Sequence, residues 1–558
     1  MGIVVRPRAE GGGYGGWRRA VDDIVVSADG AQYSVEETDD AVCVLDGWLC
    51  SGGGAAELLA LYRKQGMSAV AAQEGHYVAV VHDRSRGQTH LVSDPGGFGH
   101  ACYRDSGSAF AFGSRPCDVG TGTVSREGLA LYLTFQYVPA PFSIFDGVRR
   151  LPPGAVVTRR GGGCHVRHHA SLPRPAEPSA GDAIAPEQLA AEVLDLLTDS
   201  LARRIAPAER VGMMLSGGID TSTNATVLAT RLGIGPTAFT ASFREAGYDE
   251  TEYAAIVAER FGFDHVVVPV GPEIVERLPN MVRAFDSPNA DQAIVATQAI
   301  AERAAQLGCS HIVTGEGGDE VMGFPMSPHD DIHLVPLPAE STDLARYYLG
   351  QIGLGSPEDR ALMYDALGGG EDLALGVLAG LYEEHRAHTA LDRLLFGQWK
   401  TWLTEGVYRK DHHTFGGAGM TSVLPFADPR VLSFVAGMPA DQRYRALDGK
   451  AMLRAGIAAH LPDRILKRRK HKFWIPFAEW FRGPLRAHLH DALPHGTVAT
   501  ELLGEKRVRA LIDSHDRGLD DKSGILWALW FLDAWLSALP PRSSDGTVPG
   551  GTTEPAAR

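Results

Sequence analysis

The stretch VGMML, residues 211–215, runs directly into LSGGIDTS, residues 215–222, and this junction decides how the second half of the chain folds. The apolar run predicts a buried strand, and two adjacent glycines among small hydroxyl residues predict a tight turn. NATVLATRLG, residues 224–233, then reads as a helix that ends on its glycine. Because Gly217 and Gly218 permit close backbone approach and a helix N-terminus points N–H groups at the same place, the turn predicts a pyrophosphate site.

The segments around this turn alternate between two periodicities. Apolar residues recur at helical spacing over 186–205 and 250–262, whereas 237–243 and 265–270 are short apolar runs. Alternation of this kind predicts a doubly wound α/β fold with a parallel sheet, in which ligands bind beyond the carboxyl ends of the strands. The remainder, from about 340 to 540, has the pattern of a mostly helical part.

A second glycine turn follows another short apolar run in HIVTGEGGDEVMGF, residues 311–324. This turn is acidic, since it carries Glu316, Asp319 and Glu320. One hydroxyl-rich turn and one acidic turn at the same sheet edge suit a nucleoside triphosphate with magnesium. Asp220 and Asp319 can each give a carboxylate oxygen to Mg²⁺, which completes its octahedron with phosphates and water. We therefore expect ATP and Mg²⁺ as cofactors, in a loop that lacks the GxxxxGK[ST] spacing.

The first part of the chain has a different pattern. Short β-rich runs at 76–83, 88–94 and 154–160 are separated by glycine-rich turns, which predicts sheets. A stretch rich in Pro, Ala and Ser follows and is typical of a linker. The predicted division is an amino-terminal domain at 1–170, a linker at 171–185, a second domain at 186–540 and a disordered tail at 541–558.

The amino-acid composition of the chain excludes several classes of function. The 53 Lys and Arg residues against 68 Asp and Glu give a net charge of -15, which disfavours a nucleic-acid partner. No window approaches the roughly 18 uninterrupted apolar residues that cross a bilayer, so we expect a cytoplasmic protein without a membrane partner. The 6 cysteines are scattered without a CxxC pair, so the sequence predicts neither a zinc site nor a disulfide framework.

Several separated motifs carry a family resemblance. SGGIDTS resembles the pyrophosphate loop of ATP pyrophosphatases. Together with four further motifs, the chain from about 70 to 540 resembles asparagine synthetases of the glutamine-hydrolysing type. Those motifs are QYVPAPFSIFDGVRRLPPG (136–154), TGEGGDE (314–320), LPFADPRVL (424–432) and GKAMLRAGIAAHLPDRILKRRKHKFWIPFAEWFRG (449–483).

This resemblance implies a degenerate α+β sandwich of the amino-terminal nucleophile hydrolase type, followed by an α/β ATP-pyrophosphatase domain with a helical carboxy-terminal part. It also implies a synthetase that activates a carboxylate as an acyl-adenylate, releases pyrophosphate and lets an amine attack. The positions that match the family's site are Leu215, Ser216, Gly217, Gly218, Asp220, Thr221, Ser222 and Gly315 for ATP and pyrophosphate, Asp220 and Asp319 for metal, and Glu316 and Lys470 for catalysis. Thr221 stands where the family usually has serine, and its hydroxyl can still donate.

Chemistry assigns roles to the two catalytic candidates. An alkylamine nucleophile is protonated at pH 7, and freeing its lone pair costs roughly 4 to 5 kcal/mol. We therefore expect Glu316 to act as the general base, with a contribution on the order of 10² to 10⁴ in rate. We expect Lys470, in the basic run KRRKHKF, to stabilise charge at the α-phosphate.

The amino-terminal part departs from the family pattern. Glutamine-dependent relatives begin with a cysteine, whereas Met1 here is followed by Gly2, and Cys43 and Cys50 lie inside the domain. Ala55 occupies the position of a glutamine-binding aspartate, although the family's glutamate is present as Glu57. The sequence therefore predicts a domain that keeps its scaffold but does not hydrolyse glutamine, with a role that is structural.

Several alternatives remain open at this stage. Relatives without the cysteine include β-lactam synthetases, which carry tyrosine where Glu316 stands, and lasso-peptide macrolactam cyclases, which match the carboxy-terminal motifs less well. Thr421 and Val423 replace a charged pair of asparagine synthetases, which indicates a different carboxylate substrate. A catalytically silent scaffold and a tRNA-thiolating enzyme are two further hypotheses. The second function usually requires a reactive cysteine and a basic surface.

The expected partners are small-molecule or peptide carboxylate and amine substrates, with a homodimer as the candidate assembly. The paired histidines His168 with His169 and His412 with His413, and the group around His329, are interpreted as loop or surface features rather than metal ligands.

Overall fold

A computed structural model of the chain describes most of its length. The described residues are 17–21, 24–28, 33–105, 110–113, 115–119, 122–161, 163–169, 185–205, 210–245, 247–322, 336–367, 373–385, 388–438, 450–468, 473–495 and 497–539. Residues 171–184 of the predicted linker, the predicted tail, the amino-terminal Met1 and Gly2, His329 and Lys470 all lie outside these ranges. Within them, no helix combines the length and apolar character needed to cross a membrane.

The amino-terminal region consists of antiparallel sheets. A six-stranded sheet has the order β11-β10-β6-β5-β4-β3, a three-stranded sheet has the order β8-β7-β9, and β1 pairs with β2. In chain order the strands are β1 (Trp17–Val21), β2 (Ile24–Ala28), β3 (Tyr33–Glu37), β4 (Ala41–Leu49), β5 (Gly75–Asp83), β6 (Gln88–Ser93), β7 (Cys102–Asp105), β8 (Phe110–Gly113), β9 (Arg149–Arg150), β10 (Ala155–Arg160) and β11 (Gly163–His168).

Side-chain alternation explains how the six-stranded sheet is covered on both faces. Val44 and Val80 point to one face, where they pack with Tyr103 and Phe112 of the three-stranded sheet. Cys43, the neighbour of Val44, points to the other face, which the helices Ala55–Gln65 and Met67–Ala71 cover. The three β-rich runs expected from sequence are strands within about a residue of their predicted ends.

The second region is built on a five-stranded parallel sheet. Its strands are β12 (Val211–Met214), β13 (Thr237–Ser242), β14 (Asp264–Pro269), β15 (His311–Val313) and β16 (Thr421–Val423). Their order is β14-β13-β12-β15-β16, and every neighbouring pair is parallel. The chain first moves from β12 to β14 and then returns to the opposite side of β12 with β15. The strand order therefore reverses between β12 and β15, which is where such sheets form a crevice.

The strand β16 is an element that the sequence did not predict. The described residues beyond 340 are mostly helical, as expected, and Thr421–Val423 among them forms the fifth strand of the sheet. Three residues are too few to show a strand periodicity, and the pairing with β15, from His311↔Thr421 to Val313↔Val423, determines their conformation.

The helices lie mainly in the second region. The α-helices are Pro116–Val119, Arg126–Phe135, Pro186–Ile205, Ile219–Thr230, Thr251–Phe261, Leu278–Ala284, Ile294–Gln306, Gly318–Val321, Ser341–Ile352, Pro357–Ala366, Leu373–Glu384, Ala390–Gln398, Arg409–Gly417, Pro429–Gly437, Ala451–Ile457, Asp463–Leu466, Phe477–Arg482, Arg486–Ala492, Val498–Leu503, Glu505–Asp516 and Ser523–Ser537, in addition to the two named above. Pro272–Arg277 and Pro425–Ala427 are 3₁₀ turns, and Trp399–Tyr408 is a π-helix.

The two regions pack against each other along the π-helix. The Arg150 guanidinium pairs with the carboxylate of Glu405, and both side chains are only 2% exposed. Lys400 donates to the Pro153 carbonyl at 3.1 Å, and the rings of Phe98 and Tyr408 stack with centroids 5.5 Å apart. The amino-terminal sheets therefore contact the same helix that runs towards the second glycine turn.

Candidate active site

The first glycine turn follows β12 and is closed by its own hydroxyl groups. Gly217 has a φ of 69°, and a Cβ there would lie 2.5 Å from the backbone carbon of Tyr253, so the position requires glycine. The Ser216 N–H donates to Oγ1 of Thr221 at 3.3 Å, and the Gly218 N–H donates to Oγ of Ser216 at 3.2 Å. The threonine that replaces the family's serine is therefore used to hold the turn.

The second glycine turn touches the first. A Cβ on Gly318 would lie 2.5 Å from the Asp220 carboxyl carbon, and one on Gly315 would lie 2.8 Å from Cγ2 of Thr221. Asn224, on the helix after the first turn, donates its Nδ2 hydrogen to the Thr314 carbonyl at 2.9 Å. The two turns thus form one continuous surface at the crevice between β12 and β15.

A lysine bridges the two turns. The Lys450 ammonium pairs with the Asp220 carboxylate and lies 2.7 Å from Oδ1 of Asp319. Burial lowers the pKa of Lys450, but the attraction of Asp220 and Asp319 outweighs it and raises the pKa to about 12. The lysine is therefore a fixed cation between the two carboxylates that the sequence predicts as metal ligands.

The carboxylates fit a magnesium ion by their chemistry. Oxygens of Asp220 and Asp319 converge on a single positively charged atom, which shows that one cation can contact both. Mg²⁺ typically takes one or two carboxylates and fills its other positions with phosphate and water oxygens. Among the described residues there is no cluster of three or more His, Cys, Asp or Glu side chains arranged as a complete metal site.

Glu316 projects from the second turn and is held by a buried lysine. Lys410 donates to Oε1 of Glu316 at 2.8 Å and also lies 3.3 Å from Oδ2 of Asp291. Burial lowers the pKa of Lys410, but the carboxylates of Asp291 and Glu316 raise it well above its usual value. The ammonium therefore stays charged and fixes the Glu316 carboxylate at the mouth of the crevice.

The basic run beyond residue 466 reaches the first turn through an arginine. Arg468 donates to the Ser216 carbonyl at 3.0 Å, pairs with the Glu250 carboxylate, and lies 4.0 Å from the ring centre of Tyr253. Lys470, the lysine that the resemblance places beside the phosphates, lies outside the described residues. The structure thus brings this segment to the predicted pyrophosphate turn by means of Arg468.

Three of the predicted nucleotide-binding residues are buried, namely Leu215, Gly217 and Ser222. Leu215 is packed in the core, and its backbone N–H donates to the Phe239 carbonyl at 2.9 Å. Ser222 is buried in the first turn of the helix Ile219–Thr230, where its N–H donates to the Gly218 carbonyl. These residues support the shape of the turn, whereas Ser216, Gly218 and Asp220 are partly exposed and form its surface.

Comparison with known proteins identifies the family of the chain. An asparagine synthase family model matches residues 192–537, which is more than half of the chain, and a glutamine amidotransferase domain model matches residues 19–169. The chain belongs to the asparagine synthase family. It is therefore a ligase that uses ATP, with adenylation or amide-forming chemistry of the ATP-pyrophosphatase type.

Individual relatives of this asparagine synthase family member are distant. A Mycobacterium bovis protein provisionally named asparagine synthetase [glutamine-hydrolyzing] is 27% identical over 443 residues, which cover 74% of this chain and 67% of the relative. Asparagine synthetase [glutamine-hydrolyzing] 1 of Bacillus subtilis is 21% identical over 516 residues, covering 86% and 80%. The structure of NMN synthetase from Francisella tularensis matches at 16% identity with a TM-score of 0.20, covering 42% of this chain and 94% of that one.

Three cationic side chains of the site were not predicted from the sequence. Lys450 stands inside the motif GKAMLRAG, but the motif alone does not indicate its carboxylate partners. Arg468 belongs to a basic run that equally predicts a solvated surface. Lys410 lies in YRKDHH and carries no local signal, because its partners Asp291 and Glu316 are far away in sequence.

In the amidotransferase-like region, the glutamate and the two thiols considered above have structural environments rather than an arrangement for catalysis. Glu57 caps its own helix, since its Oε2 accepts from the Gly54 N–H at 2.7 Å, and this bond lowers the pKa of Glu57. Ala55 is the first residue of the same helix and is buried. Burial raises the pKa of the Cys43 thiol to about 12 and also raises the pKa of Cys50. Neither thiol is thus favoured as a thiolate nucleophile at neutral pH.

One expectation about histidines is wrong. His412 and His413 lie on the helix Arg409–Gly417 at the contact between the two regions, not in a surface loop. The His412 ring lies 5.0 Å from that of His76 and 5.6 Å from that of His100, measured between centroids. Burial lowers the pKa of each of these histidines, so they pack as neutral rings.

Proposed function

We propose that the chain forms amide bonds by activating a carboxylate as an acyl-adenylate, releasing pyrophosphate and then AMP, without hydrolysing glutamine. The observation that carries the proposal is the meeting of the two glycine turns, with Asp220, Asp319 and Glu316 at one crevice. The amine then comes from free ammonia or from an amino group of another molecule or of the substrate itself. Such chemistry suits a specialised or natural-product pathway.

In the first step the turn after β12 receives the β- and γ-phosphates. Backbone N–H groups and the hydroxyl of Ser216 donate to the phosphate oxygens, and the helix Ile219–Thr230 directs its positive end at them. A magnesium ion held by Asp220 and Asp319 would neutralise phosphate charge. Lys450 and Lys470 stabilise the charge that develops as the substrate carboxylate attacks the α-phosphorus and pyrophosphate leaves.

In the second step an amine attacks the acyl carbon and AMP leaves. Glu316 accepts the proton of the incoming ammonium, because only the neutral amine has a lone pair to donate. Lys410 positions Glu316 by a charge-assisted hydrogen bond of 2.8 Å and keeps its carboxylate oriented from a buried site. Lys410 itself stays protonated and is therefore not the base.

The acid substrate is proposed to be larger or less charged than aspartate. Thr421 and Val423 replace a charged pair of asparagine synthetases, and both lie on β16 beside the second turn. Val423 is 1% exposed, and its carbonyl accepts from the Thr314 N–H at 3.0 Å. An apolar residue at position 423 offers no charge of its own to pair with a second substrate carboxylate.

Independence from glutamine is supported by the thiols. In the part of the chain that the structure describes, burial raises the pKa of Cys43, Cys50, Cys164 and Cys309, so each of these thiols favours its protonated form. The same observation speaks against tRNA thiolation through these thiols. Intramolecular ring closure, as in lasso-peptide or β-lactam formation, remains the alternative within this chemistry, and a silent scaffold is the alternative without it.

The test is ATP-dependent pyrophosphate release over a panel of carboxylates, measured with the full chain and magnesium. We expect release with at least one acid, and its loss in Asp220→Ala. Glu316→Ala should abolish amide formation. Asp463→Ala, at an exposed carboxylate that pairs with Lys467 across one helical turn, is the matched control and should keep the wild-type rate.

A nucleotide-binding measurement separates an enzyme from a scaffold. ATP that binds only the folded chain raises its melting temperature, and Asp220→Ala should reduce that shift. Binding without pyrophosphate release from any acid would favour the scaffold, and the absence of both would contradict the proposed site.

A further inference from the structure

Lys450 occupies the place between the two carboxylates where a cation is expected. Its side chain is 9% exposed, whereas those of Asp220 and Asp319 are 19% and 33% exposed. Each carboxylate therefore has a face towards the crevice, while the ammonium lies deeper than either. The bridge joins residues on three separate elements, since Lys450 immediately precedes the helix Ala451–Ile457.

This arrangement compensates the repulsion between two neighbouring carboxylates. Two carboxylates that can reach one atom repel each other, and the ammonium between them compensates that repulsion. A free divalent cation seeking the same oxygens must displace Lys450. The displaced ammonium would then be a buried charge without its counterions, which is strongly unfavourable.

A nucleotide removes this penalty. The triphosphate brings its own negative charge to the first turn, so an ammonium that leaves Asp220 and Asp319 finds phosphate oxygens as new partners. The four-carbon stem of lysine allows such a movement of the ammonium while the backbone remains in place. Lys450 has a left-handed backbone with a φ of 65°, at the point where the chain turns into its helix.

We propose that Lys450 holds the cation position in the nucleotide-free protein and thereby prevents a divalent cation from binding Asp220 and Asp319 until a nucleotide arrives. This inference rests on the proposed function, in which the same two carboxylates hold the metal. Its consequence is an order of binding: the divalent cation enters with the triphosphate, and Lys450 moves from the carboxylates to the phosphates.

The experiment measures Mn²⁺ binding to the full chain without nucleotide, by the loss of the free-ion electron paramagnetic resonance signal. The wild-type protein should bind Mn²⁺ weakly at this site. Lys450→Gln is one atom shorter and keeps a hydrogen-bond donor but removes the charge, and should bind Mn²⁺ at least about tenfold more tightly. Lys450→Met should behave in the same way. Lys467→Gln removes a lysine that is 76% exposed and should bind like the wild type.

A second substitution tests whether the gain in Mn²⁺ affinity arises at the Asp319 carboxylate. Adding Asp319→Asn to Lys450→Gln should return Mn²⁺ binding to the wild-type level, because a carboxylate ligand is lost. Mg²⁺ alone should raise the melting temperature of Lys450→Gln and leave that of the wild type unchanged. Equal Mn²⁺ affinity of wild type and Lys450→Gln would overturn the proposal.

The wild-type protein tests the idea even if neither variant folds, because tight nucleotide-free Mn²⁺ binding that Asp319→Asn abolishes would also overturn it. The two proposals fail separately. A wild-type chain that releases pyrophosphate but binds Mn²⁺ tightly without nucleotide refutes only the role of Lys450. A chain without adenylation activity in which Lys450→Gln gains Mn²⁺ affinity refutes only the function.

Discussion

The two regions of the chain use their polar side chains in opposite ways. In the antiparallel region, Glu57 caps its own helix, and burial raises the pKa of the Cys43 and Cys50 thiols. In the parallel-sheet region, Asp220, Asp319 and Lys450 come from distant segments and meet at a crevice. The difference teaches that a family resemblance covering both regions does not give them the same function. Among the described residues, the crevice of the second region brings charged side chains from distant segments together where a ligand can reach them.

The largest effect is expected at Glu316. Glu316→Gln keeps the shape of the side chain but removes the base, and should slow amide formation on the order of 10² to 10⁴, whereas adenylation persists. Glu57→Gln, at the glutamate of the other region, should leave the rate unchanged. Both are measured by following amide product and pyrophosphate separately with an active acid. An equal loss of the amide-forming rate in Glu316→Gln and Glu57→Gln would contradict the proposal that the two regions differ in function.

The next effect concerns the contact that joins the regions. Arg150→Met leaves Glu405 buried without its main partner, and should lower the free energy of unfolding by roughly 3 kcal/mol. Urea denaturation followed by tryptophan fluorescence measures this loss. The neighbouring Arg149 is exposed, so Arg149→Met provides the control and should change stability by less than about 0.5 kcal/mol. A stable Arg150→Met protein would mean that the regions are held together elsewhere.

A smaller effect depends on pH at the same contact. Burial, with a contribution from Arg204, lowers the pKa of His76 from 6.5 to about 4. Between these values the unfolded chain binds the proton that the folded chain rejects, so stability is lost as pH falls below 6.5. His76→Phe should therefore lose about 1 kcal/mol less than wild type between pH 7 and 5.5. The urea denaturation midpoints of both proteins at the two pH values measure this difference. Equal losses of stability in wild type and His76→Phe would show that other groups take up the proton.

The smallest effect is expected at the thiol of the amidotransferase-like region. Cys50→Ser should change neither pyrophosphate release nor amide formation, and glutamine should not replace the amine in either protein. Glutamate production from glutamine, lost in Cys50→Ser, would contradict the separation of the regions. The structural reason is that burial keeps this thiol protonated.

Local patterns predicted a large part of the fold. The helix Pro186–Ile205 and the strands β12, β13 and β14 agree with sequence expectations to within about a residue, because each has its own periodicity. The strand β16 was missed, since its conformation depends on pairing with β15 rather than on its three residues. The position of His412 on a helix at the contact between regions was missed for a similar reason, as its neighbours His76 and His100 belong to the other region.

The sequence alone determined the two glycine turns, the division into an antiparallel and a parallel region, and the family. These features are local, because glycines, hydroxyl groups and apolar periodicity act over a few neighbouring residues. Only the tertiary structure decided which charges meet: Lys450 pairs with Asp220 across 230 residues, and Lys410 with Glu316 across 94. Those pairs exist because the strand order reverses between β12 and β15, which brings both turns to one crevice, while segments later in the chain supply the cations.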